Sequence, residues 1–510
     1  MNSMHLSRIS LVWAIVFALF YALLAAGLVF PLEHPIFGTD LYNAYYLRFS
    51  EGRFDLPMRM LQFEGHYRAD GTGILYHGIA PLLTRAALSP FVALHVFPTA
   101  AFSIWLWAVV GTAFYHLAII QVVTKYTPPL QGVPALAIAT LIGCGIWICS
   151  PGLLLAANTV LYHEPISIAY AAMAIAVFLM VRCLVFSMPL RRAIPPIALM
   201  ATVALHSRPH LAVGLYVGLA CLMLLSLVQE RRRAVPSLVL GTAILVGGAL
   251  IFLQLNTARF GSSTDMHGEI GAQEDTQSVQ YGPVFFGTDY AESGRGKAFR
   301  DHGRFHPWRV LPNMIVYSFD YPDVGETLAA VHRQITEPVS GYGHIEAPRF
   351  GMLTLWPVWM VLAAVGLTKA RPRVAGGLRA TPILLATGIA ALLMLSYPTV
   401  AFRYRFDLWP LLMATILVTL PGLLQKLPAE GLAQTRVYTL GTAFLVPGVL
   451  ATGLAIVPYA HSYQTVPGRN YENWDEAKCR AMIENKPFEE TRIAEICVDP
   501  MSVFQTEAQG

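Results

Sequence analysis

One carboxylate and three arginine-bearing turns carry most of the chemistry this chain offers. Asp40 closes Phe37-Gly38-Thr39-Asp40, a few residues beyond an apolar run at 11–30. On a loop at a membrane surface, a carboxylate serves as general base or metal ligand toward a lipid-anchored substrate, and equally well as an ordinary helix N-cap. The turn Leu205-His206-Ser207-Arg208-Pro209-His210 sets one arginine between two histidines and joins two apolar runs. Ala401-Phe402-Arg403-Tyr404-Arg405-Phe406-Asp407 is a second such turn, and Asn256-Thr257-Ala258-Arg259-Phe260-Gly261 a third. A guanidinium grips phosphate through two parallel N–H bonds, so arginines converging opposite a carboxylate make a site for a phosphorylated substrate. His206, Arg208, His210, Arg259, Arg403 and Arg405 are the candidates for that grip, with Asp40 as the catalytic group. Two plainer readings stand beside it. Arginines near a membrane surface reach lipid phosphates by snorkelling. Arg403 and Asp407, four residues apart, would pair locally if the turn is helical.

The remaining polar segments hold weaker candidates. Asp55, Glu64 and Asp70 would supply a second carboxylate, or are solvated loop charges. Tyr42, with Tyr45, Tyr46 and Tyr67, would stack on a sugar or mark a membrane interface. Asn158, His163 and Glu164 precede an apolar run, and Glu164-Pro165 suits a plain helix start. Arg295, Lys297, Arg300, Arg304 and Arg309, with His302 and His306, form a basic patch fit for a pyrophosphate or an anionic acceptor. From Phe305 to Phe319, the residues Trp308, Leu311, Ile315 and Phe319 recur at near-helical spacing, which predicts an interfacial helix interrupted at Pro312. Cys479 and Cys497 suit a disulfide in an oxidising compartment, or remain two free thiols. Cys144, Cys149, Cys183 and Cys221 lie in apolar runs and read as packing residues.

The scaffold for these groups is membrane-embedded. The chain has 510 residues, 55% hydrophobic and only 13% charged, against roughly 25% charged for a soluble domain. Its mean hydropathy is +0.52. A net charge of +4 confined largely to short loops is a topology signal and excludes a nucleic-acid footprint. No C-x-x-C pair or H-E-x-x-H suggests a zinc site, and no P-loop or dinucleotide fingerprint suggests a nucleotide site. Hydropathy predicts an all-α polytopic membrane protein with about eleven transmembrane helices, near 11–30, 96–123, 133–150, 165–186, 193–207, 209–228, 235–256, 349–368, 381–400, 408–424 and 437–459. The first lacks an A-x-A cleavage site and reads as an uncleaved helix.

With the N-terminus in the cytoplasm, the inner loops hold Lys125, then Arg191 and Arg192, then Arg231 to Arg233, then Lys369, Arg371, Arg373 and Arg379, and finally Lys426 and Arg436. That obeys the positive-inside rule throughout. Residues 1–460 then form the spanning domain, with extracytoplasmic loops at 31–95 and 257–348 bearing short interfacial helices, and 461–510 an extracytoplasmic tail. The run at 193–207 reaches about 22 Å into a ~30 Å core. Either the bilayer thins there or the Arg208 turn is recessed in a cavity opening outward.

Four motifs, in order, carry a family resemblance: Phe49 to Pro57 (F-S-E-G-R-F-D-L-P), His77 to Leu83 (H-G-I-A-P-L-L), Asn256 to Ser262 (N-T-A-R-F-G-S) and Arg403 to Pro410 (R-Y-R-F-D-L-W-P). With Asp40 just after the first span, the spanning part of the chain resembles the GT-C superfamily, multi-span glycosyltransferases that use polyprenyl-phosphate-linked sugars. The resemblance implies a GT-C-like fold in a bacterial inner membrane and an active site on its extracytoplasmic face. It implies transfer, with inversion, of a sugar from a polyprenyl-phosphate donor to a glycan, lipid or protein acceptor. Asp40 would deprotonate the acceptor hydroxyl, and Arg208 with Arg403 or Arg405 would neutralise the leaving phosphate. Well-known members carry an adjacent acidic pair in this loop, whereas Asp40 is followed by Leu41 and Tyr42, so no such pair supports a divalent metal. Three rivals remain: a transporter or flippase of a lipid-linked glycan, an O-antigen polymerase or ligase leaning on the basic 295–309 patch, and a structural membrane protein.

Overall fold

Long apolar runs fold as helix because a segment in lipid must satisfy every backbone N–H and C=O within itself. The computed structural model describes residues 3–29, 41–56, 61, 65–68, 70–94, 97–127, 132–264, 279–285, 293–322, 324–347, 349–369, 377–425, 432–461, 476–484 and 487–497. Asp40 and Glu64 therefore lie outside the described residues. The helices of eight residues or more are α1 Ser3–Ala25, α2 Leu41–Ser50, α3 Pro81–Leu88, α4 Thr99–Tyr126, α5 Gly132–Trp147, α6 His163–Val185, α7 Leu190–Leu205, α8 Pro209–Glu230 and α9 Val235–Phe260. They continue as α10 Gly294–His302, α11 Val310–Phe319, α12 Gly325–Ser340, α13 Pro357–Lys369, α14 Thr381–Leu395, α15 Trp409–Leu424, α16 Leu432–His461, α17 Glu476–Ile483 and α18 Glu490–Cys497.

Each of the eleven predicted runs overlaps one of these helices: α1, α4 to α9, and α13 to α16. Among the described residues, six stretches are long and apolar enough to cross a membrane: Leu6–Ala25, Thr99–Tyr126, His163–Val185, Pro209–Phe260, Phe402–Leu424 and Thr439–His461. The fourth contains both α8 and α9, while α5, α13 and α14 include shorter apolar segments. The chain is thus an α-helical membrane protein. The run expected at 349–368 begins late, because Pro357 opens α13 and a separate short helix, Met352–Leu355, precedes it.

The helix α8 packs along α14 at unusually close range. A Cβ on Gly214 would lie 2.1 Å from the Ala386 carbonyl oxygen, and one on Gly218 would lie 2.5 Å from that of Pro382. Two glycines four apart on one face, opposite Ala386 and Ala390, let two helix backbones touch, as small residues do between membrane helices. This contact fixes the height of α8 against α14, and so the relative height of the turns that precede α8 and follow α14. Charges segregate to the opposite ends of the same helices. Arg191 and the Arg231 to Arg233 cluster mark the far end, where Arg379 bonds Gln229 at 2.8 Å and Glu230 pairs with Arg191 at 3.4 Å.

At the arginine-turn end, the described residues carry two small β elements that hydropathy did not anticipate. Strands β1 Asp55–Leu56, β2 Gly65–Tyr67, β3 Gly73–Leu75 and β4 Gln280–Tyr281 form an antiparallel sheet in the order β1-β3-β2-β4. The His66↔Tyr281 register stitches segment 31–95 to segment 257–348. Strand β5 His344–Ile345 runs parallel to β6 Thr399–Val400, tying the second segment to the turn after α14. The C-terminal helices join the same end. Ile483 and Cys497 are buried in a cluster with Leu41, Tyr42, Tyr45 and Tyr67. Cys497 is disulfide-bonded, whereas Cys144, Cys149, Cys183 and Cys221 are free thiols in the helical bundle, as expected. The side chain of Cys479 lies outside what is described.

The close contact generates a test. Gly214→Val or Gly218→Val must push α8 from α14, and overpacking of this kind costs about 1–3 kcal/mol. Gly247→Ala in α9, where a Cβ meets nothing within 4 Å, should be neutral or gain up to about 1 kcal/mol from helix propensity. Thermal unfolding in detergent would read both; equal melting of all variants would show that α8 and α14 do not meet through these glycines.

Candidate functional site

Pro209 opens α8, and Arg208 before it is extended, so the chain turns sharply at 206–208. That turn is roofed by the residues between β3 and α3. The Ala80 N–H donates to the His206 carbonyl at 2.9 Å. Gly78 presses so close that a Cβ would sit 2.3 Å from the Ser207 carbonyl oxygen. Only glycine permits this approach without moving the backbone. Tyr42 on α2 donates its hydroxyl to the Gly78 carbonyl at 2.9 Å, and Arg259 at the end of α9 donates to the carbonyls of Leu75 and His77 at 3.4 and 3.3 Å. Arg259 also holds Asn256 at 2.8 Å and is buried, so it braces this loop.

The turn after α14 comes from the other side. Residues Phe402–Leu408 form a tight 3-10 turn, and the expected local pair of Arg403 with Asp407 does not form. Instead Arg208 donates to Asp407 at 2.5 Å, His210 lies 3.1 Å from the same oxygen, and Arg403 donates to Glu346 at 2.7 and 3.5 Å. Glu346 is placed by the β5–β6 ladder, its N–H donating to the Val400 carbonyl at 2.9 Å. Arg405 donates to Asp320 at 2.5 Å and is 1% exposed.

The three guanidinium groups are not equivalent. Arg403 spends a two-pronged fork on Glu346 and rests on Tyr162. Arg405 keeps Nε and Nη1 without hydrogen-bond partners but is sealed inside the fold. Arg208 makes one contact to Asp407, keeps a buried Nε without a partner, and retains 14% side-chain exposure. Arg208 and Arg403 share the Tyr404 ring, their guanidinium carbons 5.3 and 5.0 Å from its centre. Arg208 is therefore the arginine with both unspent donors and an approach from outside.

In the sequence His77 stands only as the first residue of the H-G-I-A-P-L-L motif, with no role of its own. Its ring lies tilted against Tyr76, centroids 4.0 Å apart, and meets Tyr162 edge-on at 5.1 Å, and its Nε2 is buried without a partner. Burial first, then the charges of Arg403 and Arg208, push its pKa down to about 3. It is neutral at physiological pH.

Other candidates are placed elsewhere or committed. Glu164 forms a buried two-pronged pair with Arg85, which also holds Asn43 at 3.0 Å. The His163 ring bonds Tyr459. His206 packs on Phe252. Asp55 pairs with Arg53 at 2.6 Å, and Asp70 accepts the Thr72 N–H at 2.9 Å in a turn. Lys297 lies on α10. Within the basic patch, Arg309 is buried, bonding the carbonyls of Ser340 at 3.0 Å and Gly303 at 3.0 Å, so it serves the fold. Among the described residues, no group of three His, Cys, Asp or Glu is arranged to hold a metal. No protein-family model, curated protein or solved structure matches this chain.

The depressed His77 pKa has a sign that can be checked. The unfolded chain binds a proton near pH 6.5 and the folded chain only near 3, so His77 contributes stability above pH 6.5 that is lost as pH falls toward 3. Stability of His77→Gln should decline less steeply from pH 6.5 to 4 than that of the parent protein, in thermal unfolding across that range. Parallel slopes would mean that His77 is not held neutral.

Proposed function

We propose that this protein is a multi-span glycosyltransferase that moves a sugar from a polyprenyl-phosphate donor to a glycan, lipid or protein acceptor at the extracytoplasmic face of a bacterial inner membrane. The observation that supports it best is the approach of Arg208 and Arg403 to one tyrosine ring beneath the His77-Gly78 roof, with Arg208 keeping guanidinium donors unspent. The roof is tethered through Tyr42 to α2, which starts one residue after Asp40. An eleven-span topology with the basic loops inside puts this end of the bundle outside.

In this reading Asp40 accepts the proton of the acceptor hydroxyl as its oxygen attacks the anomeric carbon. The bond from that carbon to the phosphate oxygen breaks with inversion, and the electron pair stays on the phosphate. Arg208 meets the charge that develops there, and Arg403 contributes the field of a second cation tempered by Glu346. Neutral His77 offers a ring nitrogen to a substrate hydroxyl. The loss of Arg309 to the fold takes one member from the basic patch that a polymerase or ligase would use.

Asp40→Asn keeps the size of the side chain and removes the proton acceptor, and should lower transfer by about 10²-fold or more. Arg208→Lys keeps the charge but not the fork, and should lower transfer about 10-fold with weaker donor binding. Transfer of labelled sugar from polyprenyl phosphate in nanodiscs would measure both. Wild-type rates in both variants would reject the assignment; flipping of the donor that persists in Asp40→Asn without any transfer would favour a transporter.

A further inference from the structure

The helices α11 and α12 form a hairpin between α9 and α13, and each carries an apolar stripe left exposed among the described residues. On α11 and the turn before it, Trp308 and Leu311 are each 69% exposed, and Ile315 and Phe319 continue the line. The helix expected from sequence over this stretch is present. Pro312 does not interrupt it, because it falls in the first turn of α11, where its missing N–H breaks no helical bond. The sequence reading missed the second stripe. On α12 and the residue before it, Val324, Leu328, Val331, Ile335 and Val339 fall within about 80° of arc at 100° per residue. Val324, Val331, Ile335 and Val339 are exposed, Ile335 at 55%.

The other faces of both helices are accounted for. Asn313 of α11 donates to the carbonyls of Leu395 and Tyr397 at 2.7 and 2.8 Å, and its own carbonyl lies 2.7 Å from the His332 Nε2 of α12. His332, Thr336 and Ser340 are buried on that inner side. Arg333 and Glu337 pair with each other at 2.8 Å on the far side of α12, more than half and about half exposed, in a position that suits water. Each helix therefore has a bolted face and an uncovered apolar face, and α12 adds a charged face.

Exposed apolar surface of this extent is rare on a protein surrounded by water. Its place in the fold says what covers it. The hairpin is fastened to the C-terminal end of α14, an apolar helix whose outward Leu384 and Leu392 are themselves exposed, and it sits where the end of a membrane bundle meets the lipid surface. Trp308 and Tyr321 are the aromatic types that favour that depth. We propose that α11 and α12 lie together as an in-plane hairpin in the lipid interface, with both apolar stripes sunk among the acyl chains and Arg333 and Glu337 held in water. This does not rest on the glycosyltransferase reading.

Spin labels read the depth of each stripe directly. The full chain would carry Ala in place of Cys144, Cys149, Cys183 and Cys221, with one cysteine added as Leu311→Cys, Ile335→Cys, Arg333→Cys or Glu337→Cys. Reconstitution in nanodiscs of phosphatidylethanolamine and phosphatidylglycerol provides the bilayer. Labels at 311 and 335 should collide several-fold more with oxygen than with a water-soluble nickel chelate, and labels at 333 and 337 should show the reverse. Equal nickel access at all four positions would overturn the proposal by showing the stripes in water. Spin–spin broadening at 311 and 335 that vanishes on dilution with unlabelled protein would overturn it too, by assigning the face to a second copy. Unaltered melting of each labelled protein serves as the control for folding.

Discussion

The contact of α8 with α14 through Gly214 and Gly218 is the constraint on which the polar end of the molecule depends. Helices that touch backbone to backbone have almost no freedom to slide, because any shift drives carbonyl oxygens into Cα atoms. The two turns at their ends are consequently held at one height, and Arg208 finds Asp407 in the turn that follows the opposite helix, 199 residues away in sequence. Were α8 one helical turn higher, about 5.4 Å, Arg208 and His210 would miss the carboxylate altogether. Packing of small residues in the apolar region thereby positions charges outside it.

Those charges come in matched pairs. Arg208 with Asp407, Arg403 with Glu346, Arg405 with Asp320 and Arg85 with Glu164 each join an arginine to a carboxylate from a distant segment. A buried ion pair adds little net stability over an apolar substitute, yet removing one partner leaves an expensive lone charge. Such pairs therefore specify which turns meet more than they strengthen the meeting. They also temper the field. An incoming anion competes with a carboxylate at each arginine, and it wins most readily where the guanidinium is only partly engaged. Arg208 fits that description; Arg403 and Arg405 do not, the first spent in a fork and the second enclosed.

Hydropathy located the helices well, since a run of apolar residues in lipid has few other choices. It failed where backbone needs are met by short pairings: strands of two or three residues such as β1 and β5 leave no periodic trace. The arginine turns were legible because charge beside apolar runs is conspicuous, and their convergence was legible as an expectation. Their partners were not. Glu346 and Asp320 are two of many acids in a long polar segment, and Asp407 pointed by spacing to Arg403, four residues away. The 3-10 geometry of the turn rotates that carboxylate toward Arg208 instead. His77 was hidden for a different reason: its importance comes from Gly78, and a glycine that allows close approach looks in sequence like one that merely turns the chain.

The packing of Ile483 and Cys497 against Leu41, Tyr42 and Tyr45 bears on how the molecule is made. A chain synthesised from its N-terminus exposes α2 early, but the surface that covers α2 arrives more than four hundred residues later. Until α17 and α18 are delivered, the tyrosine-rich cluster at the mouth of the bundle stays uncovered, and contacts of such long range are slow to form. The helical bundle can assemble as its spans emerge, whereas this end must wait. Closing the disulfide-bonded segment over α2 is then a late step of biogenesis.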